Sequence, residues 1–179
     1  ALVRIADEVC LQMHLLNLSF GIAVAKRAET PEQAREICTK QLTGIAGIAA
    51  ERLHRALGLA TDEAGAARTL ALLPLLNPLA YTGGVEAGAT IEVSPSPAGD
   101  DGGWITLCGP GRLAPLQAAV RAIDPHLDVE VSGSETTWTL TVVRRAEPAP
   151  ESGEVAVTRF STGATFAFEP RRSLPLFPV

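Results

Sequence analysis

The sequence predicts an α+β protein: an N-terminal antiparallel helical hairpin, followed by helices layered on one face of a mixed sheet. Three observations predict it. Two consecutive long stretches, one ending at Glu29 and one running from Thr30 to Gly58, repeat apolar residues at three-and-four spacing, the mark of a helix with one buried side. A third helical start follows at Thr61. From Thr90 onward, alternating apolar and polar runs take over, broken by clusters of Gly, Pro and Ser.

The second stretch is the most sharply written element. Thr30 is placed to cap it, Pro31 suits its first turn, Gln33 completes a capping box, and Gly58 supplies the stop. Its expected buried stripe is Cys38, Leu42, Ile45, Ala49, Leu53 and Ala56. Gly44 and Gly47 lie off that stripe, beside Lys40 and Glu51, where they weaken the helix; a close approach by another backbone explains them, and loose packing explains them equally. At 1.5 Å rise per residue the helix would run about 40 Å, which calls for a partner of similar length. The first stretch offers one: Leu2, Ile5, Val9, Met13, Leu16, Phe20 and Val24 form one stripe, and Leu11, Leu15, Leu18 and Ile22 a second. A lone hairpin cannot cover both. A second copy of the chain would, making a four-helix bundle, and folding back onto the C-terminal part of the same chain is the other solution.

Downstream, Thr61 is the expected cap of a helix that runs into ALLPLLNPLAYTGG, where Pro74 and Pro78 should bend or end it. Strands are expected at Thr90 to Ser94, Trp104 to Cys108, Asp128 to Ser132, Thr137 to Val143, Glu154 to Phe160 and Thr165 to Phe168, with a helix from Leu113 to Ile123. Ala146 to Gly153 reads as a Pro-rich joint, Ser161 to Gly163 as a hairpin turn, and Arg171 to Val179 as an extended tail. The organisation is therefore a helical hairpin over residues 1–60 and a second unit over 61–179, extended from about residue 146.

Composition narrows the function classes. A net charge of -5 and a pI near 5.2 argue against a nucleic-acid partner. Val9 to Ala25 lacks charges, yet Gln12, His14, Asn17 and Ser19 interrupt it, and Asp7 and Glu8 precede it, which suits neither a membrane span nor a signal peptide. Cys10, Cys38 and Cys108 form neither a disulfide framework nor a CxxC pair, which fits a reducing cytoplasm. Ala1 opens inside a helical pattern, as in a processed chain or a piece of a longer one.

The order of elements and three local stretches resemble the core of a sensor histidine kinase, a dimerisation hairpin followed by an ATP-binding domain of the GHKL type. Arg4-Ile5-Ala6-Asp7-Glu8-Val9-Cys10 resembles the family's RIAxELH, with Cys10 at the phosphoacceptor position. Leu75-Leu76-Asn77-Pro78-Leu79-Ala80-Tyr81-Thr82 resembles the N box, and Ile105-Thr106-Leu107-Cys108-Gly109-Pro110-Gly111 the strand and DxGxG turn that hold adenine. The segment VRAIDPHLDVEVSGSETTWTLTVV resembles the closing helix and strands. The likeness spans about residues 2 to 144, and it implies a four-helix bundle in a homodimer, a GHKL-like α/β sandwich with a mixed sheet, and a response-regulator receiver domain as partner.

The departures from that pattern fall on the chemistry. Four residues before Asn77, where the family carries the carboxylate that readies its histidine, stands Leu73; where the family's Asp meets the adenine amino group stands Leu107. The lid and second glycine box are absent as well. What remains of a nucleotide or anion site is Asn77, Gly109, Gly111 and Arg112. No cofactor is therefore expected, ATP included, and a metal centre has too few ligands beyond Cys10 and His14, one turn apart on one helix face. The first reading is a non-catalytic, histidine-kinase-like dimeric signalling or scaffold protein. Two alternatives stand beside it. One is a histidine phosphotransferase relaying phosphate between receiver domains through His14. The other is a small-molecule-binding α+β domain with Trp104 and Trp138 in a pocket between sheet and helices. His54 and His126 are expected at the surface.

Overall fold

The computed structural model describes residues 4, 8, 12, 16, 19–73, 81–95, 113–133, 137–150, 156–159 and 165–168, with side chains described at all of these but 81–86, 94–95, 156–159 and 165–168. Its class is α+β. The described residues of the first helix, α1, are helical at 4, 8, 12, 16 and throughout 19–25, and a turn at 26–30 leads into α2, Pro31–Leu57. Helix α3 is Glu63–Leu72 and α4 is Leu113–Ile123; the strands are β1 (Tyr81–Ala87), β2 (Thr90–Pro95), β3 (Leu127–Gly133), β4 (Trp138–Arg144), β5 (Ala156–Arg159) and β6 (Thr165–Phe168). No helix among the described residues is long and apolar enough to cross a membrane.

Helix α2 begins and ends where its local chemistry dictates. Thr30 Oγ1 accepts from the Gln33 backbone N–H at 3.1 Å, and the Gln33 side chain accepts from the Glu29 N–H at 2.7 Å, so two otherwise unpaired donors are satisfied. At the far end Gly58 takes φ 61°, a left-handed conformation that lets its N–H and that of Leu59 return to the carbonyls of Arg55 and His54.

The buried side of α2 differs from the expected stripe. Cys38 and Leu42 are buried as expected, but Ile45 is 39% exposed and Ala56 is exposed; the buried row is Ala34, Cys38, Leu42, Ala46, Ala50 and His54, with Ile37 beside it. The reason is the neighbour. Helix α2 packs chiefly against α4, and a Cβ on Gly47 would sit 3.3 Å from the Ala118 carbonyl oxygen and 3.6 Å from the Ala122 Cβ. The close approach weighed for a glycine on this helix is made at Gly47, and at that spacing the small residues are buried while larger Ile45 is turned out. This face of α2 is thus covered from within the chain. Val24, the buried row of α2 from Ala34 to Ala50, Ala66, Ala67 and Leu70 of α3, and the inner face of the sheet belong to one cluster, spanning both sides of residue 60.

Helix α3 starts one residue later than expected, because the cap is Asp62: its side chain accepts from the Gly65 N–H at 2.7 Å. It stops at Leu72 and does not run on. Leu73 is extended (φ −70°, ψ 144°), the conformation imposed on a residue that precedes a proline, here Pro74.

Four strands form a sheet in the order β1-β2-β4-β3, and each pairing among the described residues is antiparallel. A tight turn at Gly88 and Ala89 joins β1 to β2, a link short enough to permit antiparallel neighbours only. Ile91 lies opposite Leu140, Val131 opposite Leu140 and Val129 opposite Val142. Ile91, Val93, Leu127, Val129, Leu140 and Val142 are buried on one face, while Glu92 and Glu130 are exposed on the other. Strand β1 was not expected: Gly83 and Gly84 break any alternation in YTGGVEA, and its register with β2 shifts between Tyr81 and Gly84. Strands β5 and β6 pair antiparallel in a separate two-stranded sheet and do not extend the first; the expected turn at Ser161 to Gly163 lies outside the described residues. The expected strand at Trp104 to Cys108 and the tail from Arg171 lie outside the described residues.

Arginines at the end of β4 tie the layers together. Arg144 reaches Asp124 at 2.8 Å, Glu63 at 3.2 Å and the Thr61 carbonyl at 3.4 Å; Arg145 reaches Glu130 at 3.0 Å and Asp128 at 3.4 Å, while Arg121 meets Asp128 at 3.1 Å. Asp124 is held below the usual carboxylate range, first by the backbone N–H of His126 and then by Arg144. Burial pushes Asp128 up, but the Val129 N–H and Arg121 together outweigh it and the net direction is down. A carboxyl depressed in the folded state contributes stability above its unfolded value, near 3.9, and loses it as pH falls through the folded value. Urea midpoints should therefore drop as pH falls below about 4. In Asp124→Asn that acid loss should shrink, and an unchanged pH dependence would remove Asp124 from the account.

Candidate functional site

The side chains singled out for chemistry, Cys10, His14, Asn77, Gly109, Gly111 and Arg112, lie outside the described residues, as do Leu107 and Trp104. Leu73 is described. It closes α3 with its side chain 2% exposed, packed in the common core, so the position four before Asn77 offers neither a proton acceptor nor access to one. Trp138 packs against the same core from β4. Cys38 is buried and outside any disulfide, and among the described residues no group of three or more His, Cys, Asp or Glu is placed to hold a metal ion.

What the fold does assemble is a cleft that the sequence did not announce. The last turns of α2 and α4 and the segment after α2 border an open, shallow cleft of ≈ 430 Å³, lined by Glu51, His54, Arg55, Gly58, Leu59, Thr61, Ala122 and Ile123. Leu59, Ala122 and Ile123 supply an apolar wall; Glu51 and Arg55, one turn apart, form an ion pair beside it.

His54 is the correction of most consequence. Expected at the surface, it is 9% exposed, the last member of the row that starts at Ala34 and recurs every four residues. Its Nδ1 lies 2.9 Å from Thr69 Oγ1, and Thr69 is itself fully buried. The Thr69 hydroxyl donates its single hydrogen to the Gly65 carbonyl at 2.9 Å, so its oxygen can only accept from the imidazole. Nδ1 therefore carries a hydrogen. The ring's Nε2 is buried with no hydrogen-bond partner among the described residues. A buried polar atom left unpaired costs about 1–3 kcal/mol, a cost that the packed fold carries at this point. Counting on in fours from Cys38 reaches His54, and that periodicity was the signal available in the sequence. His126 is half-buried, with its backbone N–H on Asp124 and its ring 3.4 Å from the Arg145 carbonyl.

No family model matches the chain, and no curated protein or solved structure matches it either.

Proposed function

We propose that the chain is a non-catalytic, histidine-kinase-like signalling or scaffold protein that has lost ATP-dependent autophosphorylation. The observation that carries this reading is Leu73: at the position where the resemblance calls for a carboxylate base, a leucine is sealed into the core. Proton transfer from an attacking imidazole needs an acceptor within hydrogen-bond reach, and an aliphatic side chain has no lone pair to offer. On this reading the protein acts by binding, as a homodimer through its first two helices and with a receiver domain as partner. Leu16, 63% exposed, and Ile22, 45% exposed, support the use of α1 as a contact surface, because large apolar side chains on an exposed helix gain by being covered.

Incubation with labelled ATP tests it. No acid-labile phosphate is expected on the protein. Label from ATP would overturn the reading. A parallel incubation with a phosphorylated receiver domain, on wild type and His14→Ala, separates the runner-up: label that vanishes in His14→Ala would replace a scaffold with a histidine phosphotransferase.

A further inference from the structure

We draw no further inference here: the strongest candidate, the exposed apolar surface of α1 at Leu16 and Ile22, belongs to the contact already proposed, and nothing in the structure shows what covers it.

Discussion

Gly65→Ala should cost about 3 kcal/mol or more of folding stability, read as a lowered urea midpoint with an unchanged slope. Gly65 sits in the first turn of α3, fully buried, and a Cβ there would lie 2.0 Å from the Ala60 carbonyl oxygen and 3.0 Å from its carbon. Both are backbone atoms. No rotamer change relieves the clash, so the chain from Gly58 to Asp62 would have to move away from α3. That movement would break the Asp62 cap on Gly65 and draw the Thr61 carbonyl from Arg144, two contacts that fix how α3 meets the end of β4. It would also disturb Thr69, whose hydroxyl bonds the Gly65 carbonyl, and through it His54. A cost below about 1 kcal/mol would mean that residues 58–62 yield freely, and that the cleft at His54 has no fixed wall.

Leu140→Ala should cost about 2–5 kcal/mol in the same assay. Leu140 is fully buried on β4, an inner strand of the sheet, opposite Ile91 on one side and Val131 on the other. Truncation removes three carbons where the sheet meets the helices, and neighbours held by strand pairing on both sides cannot collapse into the gap. Glu92→Ala, a change on the exposed face of β2, serves as the control and should stay within about 0.5 kcal/mol of wild type. If the two substitutions cost the same, the buried face assigned to the sheet is wrong.

Much of the local structure was legible because its causes are local. The Thr30 cap, the Gly58 stop, the Leu113–Ile123 helix and the alternation in β2, β3 and β4 are each set by residues within a few positions of one another. Tyr81–Ala87 was not legible, since two glycines in seven residues carry no strand signal. It is a strand because β2 offers it hydrogen bonds. Asp62 displaced Thr61 as a cap because only its side chain reaches the Gly65 N–H, a matter of one residue that composition cannot settle.

The face that α2 buries belongs to the tertiary structure. By itself the sequence determined that residues 31–57 form a helix, since caps and spacing act within one or two turns. It weighted Ile45 over Ala46 and Ala50, because a large side chain carries more apolar area. Which side is covered depends on what comes near, and α4 comes so near at Gly47 that a Cβ there would lie 3.3 Å from the Ala118 carbonyl oxygen. The same contact carries the buried row on to His54, where Thr69, fifteen residues away on another helix, fixes the ring. A histidine among Arg52, Glu51 and Arg55 reads as a surface residue until that second helix is in place. Burial is a property of two packed surfaces, and one strand of text describes only one of them.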